Sequence, residues 1–417
     1  MRSHFYSVLV AAAVVTACKG DATAPPKPAS ITVSPNSVIN GIVSAAVVPS
    51  PTFSVLDDKG SALANIAVTV AVTSGGGSVT SAATKSATNA TPVGAWTLGS
   101  SPGVNTLTIT VAGLAPVVLT ANARPAYFVD LRFAGAPIDA SFQAAFALAK
   151  ARVEAMITGD IPDAVVTALD VNACGVPGVP ALTETIDDVI IYAIVDSIDG
   201  PGKVLGSSGP CYVRTSGGLT LVGVMHFDSV DIRGLKNDGR LNDVVLHEML
   251  HVVGIGTLWA TKGQVTGAGT ASSAFIGAQA VAGCVFHGGT AANQCGGGTV
   301  PLESGGGPGT RDVHWRETTS PTGIGFRTEL MTGFVSAVGV ANPLSRISIG
   351  SLGDIGYSVN LSVADAYTVP STAAIALALI REAQGFGAAF QLNDVVREPI
   401  GSVDVNGRVT PIAPRIK

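Results

Sequence analysis

Two histidines and a glutamate are spaced as a catalytic metal site would need them. His247 and His251 stand four positions apart with Glu248 between them, inside the apolar run from Leu241 to Val253. On an α-helix, residues i and i+4 share one face, so both imidazoles can reach one zinc ion at about 2.0–2.1 Å. Glu248 can then take a proton from an attacking water. Burying three such polar groups without a partner would cost several kcal/mol, which favours a metal site over a structural role.

A third ligand must come from elsewhere in the chain, and His314 is the best candidate. Gly254 can end the helix in a left-handed conformation, so that the chain turns and a distant residue approaches. His314 precedes the segment Glu329 to Gly333, whose methionine can form a tight turn beneath a three-histidine site. His287 is the alternative, but its Gly-rich surroundings indicate a surface loop. We therefore predict His314 as the third zinc ligand.

Taken together, these motifs resemble those of the leishmanolysin-like metalloproteases, a metzincin family. Four segments carry the resemblance: the HExxHxxG motif His247 to Gly254, His314 with Trp315, the Met-turn Glu329 to Thr332, and the motif Asp354 to Tyr357. The third histidine follows an unusually long insertion, as it does in that family. The resemblance covers roughly residues 127–360.

This resemblance implies a zinc metalloendopeptidase that hydrolyses protein or peptide substrates. His247, His251 and His314 would hold one Zn²⁺, Glu248 would act as the general base, and Met331 would support the site without binding the metal. Two alternatives stay open at this point. One is a surface adhesin in which the zinc domain is an inactive scaffold, and the other is a zinc amidase that acts on cell-wall material.

Two features of the sequence differ from the best-known members of that family. Between Cys18 and Cys174 there is no cysteine, so a pro-segment whose cysteine blocks the zinc is not expected. The chain also has few cysteines, so the family's dense disulfides are not expected either. Calcium is a second metal to consider, because Asp228 to Asp231 form an Asp-rich turn, but no full calcium-binding loop is present.

Composition indicates an exported, β-rich protein of more than one domain. The chain has 417 residues, 47% of them hydrophobic and only 13% charged, with 50 glycines. A length of this order suffices for two or three domains, and the apolar content argues against disorder. The net charge of −5 and the lack of basic clusters exclude nucleic acid as an expected partner.

The N-terminus predicts a lipoprotein signal peptide over residues 1–18. An apolar run from Val8 to Val15 is too short to span a bilayer and is typical of a signal peptide. The residues up to Cys18 then resemble a bacterial lipobox, in which the cysteine is lipidated after cleavage. An ordinary signal peptide cut after Ala17 is the alternative. Lys19 favours outer-membrane or cell-surface delivery, or secretion, with the lipid as the membrane contact.

Four cysteines remain after Cys18, and in an exported protein they predict two disulfides. Three pairings are open in principle, and free thiols are the alternative. We predict that Cys174 pairs with Cys211 and that Cys284 pairs with Cys295, because each pair brackets one loop region. A structural zinc site is not indicated, since no CxxC occurs.

The chain divides into segments of different pattern. Residues 19–29 form a Pro- and Ala-rich tether, and residues 30–123 alternate as short strands, typical of a bacterial Ig-like β-sandwich that acts as a spacer or binds a cell-surface ligand. An α+β metzincin-type peptidase domain is expected over residues 127–360, followed by an extension of unknown role over residues 361–417.

Three local predictions concern the peptidase region. An apolar run over residues 219–227, or its neighbour, should be the strand that binds a substrate backbone. The insertion over residues 261–310 lacks periodicity and should consist of loops. Residues 373–384 should be a helix, and residues 403–409 a hairpin with Asn406-Gly407 at its turn.

Overall fold

The chain forms two compact units, Met1–Ala123 and Arg124–Lys417. The structure, a computed structural model, describes residues 26–290, 295–307, 309–318, 323–384 and 389–413. The predicted signal peptide with Cys18, and residues 19–25 of the predicted tether, lie outside the described residues. Among the residues that are described, no helix combines the length and the apolar character needed to cross a membrane.

The first unit is built from β-strands. Its strands are β1 Ser30–Ser34, β2 Ile39–Ile42, β3 Thr52–Leu56, β4 Thr69–Ser74, β5 Ser78–Thr80, β6 Thr91–Pro92, β7 Ala95–Thr97, β8 Gly103–Thr110 and β9 Val117–Arg124. They form three sheets with the orders β1-β3-β6, β2-β9-β8-β4 and β5-β7. Phe53, Trp96, Leu107 and Leu119, one from each of four strands, are buried in a common core. Alternation of apolar and small polar residues therefore places one face of each sheet inward.

The second unit mixes helices and strands. Its described helices are α1 Ala140–Met156, α2 Ser229–Asn237, α3 Leu241–Val253, α4 Ala278–Phe286, α5 Arg346–Ile355 and α6 Thr372–Ala383, with 3₁₀ turns at Gly296–Gly298 and Leu361–Val363. Its described strands are β10 Val129–Phe133, β11 Ala164–Leu169, β12 Leu182–Ile186, β13 Val189–Asp196, β14 Gly206–Arg214, β15 Thr220–Asp228, β16 Val265–Thr266, β17 Ala274–Phe275, β18 Val300–Pro301, β19 Phe334–Val335, β20 Phe390–Gln391, β21 Asp394–Val396, β22 Gly401–Val403 and β23 Val409–Pro411.

The main sheet of this unit has the order β10-β13-β15-β14-β22-β23, and β21 also pairs with β14. Strands β10, β13 and β15 run parallel, whereas β14 is antiparallel to β15. Because β15 lies between β13 and β14, both of its edges are paired. The apolar run at residues 219–227 therefore has no free edge for an added strand, and the outer edge of its neighbour β14 is paired with β21 and β22.

Helix α3 lies against this sheet and packs on α1, β14 and β15. Gly223 makes the contact possible, because a Cβ at this position would lie 2.3 Å from Val252 Cγ1. Ten of the helix's residues are buried, including both histidines and the glutamate of the motif. The helix thus lies with its polar motif inside the unit and away from bulk water.

The insertion is more ordered than its sequence indicates. Short strands and helix α4 stand where loops were expected, so that prediction was wrong for this segment. Helix α4 packs closely on α5, since a Cβ at Gly283 would lie 2.6 Å from the carbonyl of Arg346. A helix that packs through a glycine at close range needs no wide apolar stripe. This explains why the sequence of the segment shows little hydrophobic periodicity.

The C-terminal extension is part of the second unit. Its helix α6 and the antiparallel pair β22–β23 correspond to the predicted helix and hairpin. Strands β21 and β22 both run parallel to β14 along its outer edge. The extension therefore completes the main sheet.

Candidate metal centre

Helix α3 presents two of the predicted ligands side by side. His247 donates a hydrogen bond from Nδ1 to the carbonyl of Leu330 at 2.8 Å, and His251 donates from Nδ1 to the carbonyl of Ile255 at 2.8 Å. Gly254 ends the helix with φ of 123°, which turns the chain so that Ile255 lies beside His251. These bonds assign the proton of each ring to Nδ1 and leave Nε2 as an unprotonated donor to a metal.

His314 joins these two histidines from the far end of the insertion. Its Nδ1 lies 3.2 Å from the carbonyl of Thr310, so its Nε2 is likewise free of a proton. Nε2 of His247 lies 3.1 Å from that of His314, and Nε2 of His251 lies 3.0 Å from each of the other two. Three lone pairs that converge in this way repel one another unless a cation lies between them.

Burial and charge keep the rings of His247 and His251 neutral, as metal ligands must be. Burial, together with the adjacent His314, lowers the pKa of His247 to about 4. Burial, together with both neighbouring imidazoles, places the pKa of His251 well below its usual range. All three rings are fully buried. Neutral imidazole nitrogens suit zinc, and the residues present fit a zinc ion.

Asp394 is a fourth potential ligand that the sequence did not indicate. Its Oδ2 lies 3.5 Å from His314 Nε2 and 3.6 Å from His251 Nε2. With the three histidines it forms a group of buried donors that could hold a metal ion. No spacing or motif connects Asp394 to the other three residues, so only the fold brings it to them.

Glu248 lies in the same helix turn as the ligands but bonds elsewhere. Its Oε2 accepts a hydrogen bond of 2.5 Å from the hydroxyl of Ser208 in β14, and its Oε1 has no partner among the described residues. Burial raises the pKa of Glu248 well above its usual range, and the charge of Asp394 raises it further. A carboxyl whose protonated form is favoured in this way is a candidate for proton transfer.

Met331 lies in a buried turn that a second carboxylate holds in place. Glu329 accepts a hydrogen bond of 2.6 Å from the amide of Met331 and bonds of 2.7 Å from the hydroxyls of Ser345 and Ser348. The turn also supplies the Leu330 carbonyl to which His247 donates. The Met-turn therefore orients a ligand through its backbone.

Trp315 connects this turn to the third histidine. Its indole Nε1 donates to the hydroxyl of Ser348 at 2.8 Å, and its amide donates to the carbonyl of Met331 at 3.0 Å. Its ring centroid lies 4.5 Å from that of Trp259. Trp315 thus links α5 and the Met-containing turn and holds the backbone next to His314.

The other two described histidines, His287 and His226, have partners away from this group. His287, the alternative third ligand, bonds through Nδ1 to the carbonyl of Tyr367 at 2.9 Å and accepts at Nε2 from the amide of Arg346 at 3.0 Å. Both ring nitrogens are thus engaged, and burial lowers the pKa of this ring. His226 bonds to Asp196 instead.

Asp228, at the start of the Asp-rich turn considered for calcium, caps helix α2. Its Oδ1 accepts from the amide of Val230 at 2.8 Å, and its Oδ2 accepts from the amide of Ile198 at 2.8 Å. These backbone bonds satisfy the carboxylate, and they give it a role in folding that requires no calcium.

Both predicted disulfides are present. Cys174 is bonded to Cys211 and Cys284 to Cys295. The first disulfide joins a loop to β14, and the second joins the end of α4 to the segment that follows it. Both bonds are consistent with an exported protein.

No family model and no curated protein matches the chain. A solved structure with local similarity is the crystal structure of the S-layer protein SbsC domains 4 and 5, with 17% identity and a TM-score of 0.16. The similarity covers 24% of this chain and 53% of that chain, so this chain spans about half the length of that structure. The function is therefore inferred from the residues of the chain itself.

Proposed function

We propose that the second unit is a zinc-dependent metalloendopeptidase of the leishmanolysin-like metzincin type. One observation supports this proposal most strongly: three Nε2 atoms converge within 3.0–3.1 Å of one another, with every Nδ1 bonded to a backbone carbonyl. Hydrogen bonds from Nδ1 to backbone carbonyls fix the tautomer and orientation that a metal-binding imidazole needs. Glu248 next to this group supplies the proton acceptor that peptide hydrolysis requires.

The residues of the chain divide the work of hydrolysis. His247, His251 and His314 would hold a zinc ion, whose positive charge would acidify water and polarise a peptide carbonyl. Glu248 takes the proton from the attacking water through its unpartnered Oε1 and hands it to the leaving amine. Ser208 holds Oε2 and so limits rotation of the carboxylate.

The rest of the chain fits an enzyme that acts outside the cell. We propose that residues 30–123 are an Ig-like sandwich that serves as a spacer or binds a cell-surface ligand. The signal peptide and lipidated Cys18 would deliver the chain to the outer membrane or cell surface, with the lipid as its membrane contact. Two disulfides support an exported location.

A second candidate function is a zinc scaffold without activity, as in an adhesin. Asp394 favours it, because a fourth protein ligand closes a tetrahedral zinc site, and closed sites are structural. Glu248 argues against it. A buried carboxylate with an unpartnered oxygen costs folding free energy, and a purely structural site has no use for it.

The experiment that tests the proposal combines metal analysis with hydrolysis of a protein such as casein. In Glu248→Gln the side chain keeps its shape but loses its proton acceptor, so hydrolysis should fall about 100- to 10,000-fold while zinc stays bound. Glu154→Gln is the matched control, because Glu154 bonds to the amide of Val129, outside the histidine group. Removal of zinc with a chelator should abolish hydrolysis in the control as well.

Each result decides between the candidates. Residual turnover near the wild-type rate in Glu248→Gln would overturn the role of Glu248. One zinc per chain with no cleavage by any variant, including those that alter Asp394, would favour the scaffold.

A further inference from the structure

Five of the six distances among the three histidine nitrogens and Asp394 Oδ2 are close to those of a tetrahedral zinc site. Four ligands at about 2.0–2.1 Å from one zinc ion in tetrahedral geometry lie about 3.3 Å apart. The histidine nitrogens lie 3.0–3.1 Å apart, and Asp394 Oδ2 lies 3.5–3.6 Å from two of them. Asp394 therefore lies where a catalytic site would need a water.

Asp394 reaches this position on a segment that follows the outer edge of β14. This strap, residues 393–403, bonds to the strand through backbone groups. The amide of Arg397 donates to the carbonyl of Ser208 at 2.7 Å, and the amide of Ile400 donates to the carbonyl of Cys211 at 2.9 Å. The strap thus covers the edge from the residue that holds Glu248 to the disulfide.

The same edge is the one that an extended peptide would need. The other edge of β14 pairs with β15, so an added strand can approach only from the side of the strap. Recognition by strand addition uses backbone hydrogen bonds of this kind. A peptide that paired with β14 beside the histidines would therefore compete with the strap for the same edge.

Two glycines make room for the strap. A Cβ at Gly209 would lie 2.3 Å from the carbonyl oxygen of Arg397, and a Cβ at Gly309 would lie 2.6 Å from that of Asp394. Both contacts are with backbone atoms, which cannot rotate away. The close fit of the strap thus depends on glycine, which has no Cβ, at both Gly209 and Gly309.

We propose that the strap is an autoinhibitory segment, in which Asp394 fills the fourth metal position and residues 394–403 block the substrate edge of β14 until a substrate displaces them. This inference depends on the proposed peptidase function. Neither carboxylate oxygen of Asp394 has a hydrogen-bond partner among the described residues, so no hydrogen bond holds this carboxylate in place. Glu248 lies beside the three histidines but is not one of the four possible metal ligands. It therefore stays available as a proton acceptor when Asp394 moves away.

The test uses the full chain with cobalt(II) in place of zinc, because cobalt reports its ligands by visible absorption. Asp394→Ala should change the cobalt spectrum, bind acetohydroxamate at least about tenfold more tightly and hydrolyse casein at least about tenfold faster than the wild type, since the blocked state no longer competes. Asp394→Asn serves if the alanine variant does not fold. Val405→Thr is the control, because this residue lies outside the strap and is 75% exposed.

The outcomes separate this inference from the proposed function. A changed spectrum and tighter hydroxamate binding without hydrolysis in any variant would support Asp394 as a displaceable ligand and overturn the peptidase. An unchanged spectrum with cobalt bound would overturn the role of Asp394. Loss of cobalt from both Asp394 variants would show a structural ligand and overturn autoinhibition, as would hydrolysis equal to that of the wild type.

Discussion

The two sides of the metal centre are built in different ways. On one side, each of His247, His251 and His314 is held by a hydrogen bond from Nδ1 to a backbone carbonyl. On the other side, Asp394 lies on a strap at the edge of the sheet, and neither of its oxygens has a hydrogen-bond partner among the described residues. A side chain that hydrogen bonds hold in place is preorganised to bind a metal. A side chain without such bonds can move away from the metal at a smaller cost in free energy.

This contrast assigns different tasks to the two sides. The carbonyls that hold the imidazoles belong to buried segments, including the turn at Gly254 and the Met-turn. In the Met-turn, the amide of Leu330 donates a hydrogen bond to the carbonyl of Pro343. Metal affinity should therefore come mainly from the histidines. Asp394 should decide instead whether the bound metal is accessible.

The largest expected effect is on metal affinity. His314→Ala removes a preorganised ligand and should weaken zinc binding by more than the about 10- to 100-fold typical of losing a second-shell partner. Asp394→Ala should weaken it less, because three fixed imidazoles remain. Competition with a chromophoric chelator measures both constants.

His226→Ala is the control for this comparison, because His226 bonds to Asp196 outside the group. Equal losses of affinity in the His314 and Asp394 variants would remove the contrast between the two sides of the site.

The histidine side of the site was predictable from sequence because its geometry is local. Positions i and i+4 of one helix share a face whatever surrounds them, and α3 spans Leu241–Val253 with Gly254 after it, as the pattern indicates. His314 needed a second signal, which the Met-containing turn provided. The structure brings these residues together, and their role as zinc ligands remains a prediction.

The Asp394 side was not predictable, since it depends on pairing between distant segments. Strand β14 contains Gly206, Gly209 and Pro210, residues that disfavour strands, and it has no alternation of apolar and polar side chains. The strap then pairs with β14 from far along the chain, since Ser208 pairs with Val396, 188 positions later. By contrast, β13 and β15 are largely apolar runs, and the predicted run over residues 219–227 matches β15, Thr220–Asp228, to within one residue.

A smaller effect is expected where the histidine side is supported from below. Ser348→Ala removes the acceptor of the Trp315 indole and one donor to Glu329, both buried. Leaving such groups unpaired should lower the free energy of unfolding by about 1–3 kcal/mol. Because the Met-turn carries the carbonyl that orients His247, zinc affinity should fall as well.

Thermal unfolding with and without zinc measures both effects of this substitution. Ser362→Ala is the control, because this serine bonds only locally to Asn360 in the part of the chain described. A loss of stability with unchanged zinc affinity would show that the Met-turn supports the fold but does not position the ligand.

The smallest expected effect tests the Asp394 side without altering any ligand. In Gly309→Ala the added methyl group would press on the carbonyl oxygen of Asp394, 2.6 Å away, whereas in the control Gly305→Ala it would meet only Glu303 Oε1 at 3.4 Å. An overpacking cost of about 1 kcal/mol to the closed strap should raise casein hydrolysis and acetohydroxamate affinity about fivefold. Amide hydrogen exchange over residues 393–403 should rise with them, because a strap that leaves β14 exposes its backbone amides. Faster exchange with unchanged hydrolysis would mean that the strap moves without controlling the site, and the two sides of the centre would then differ in structure but not in function.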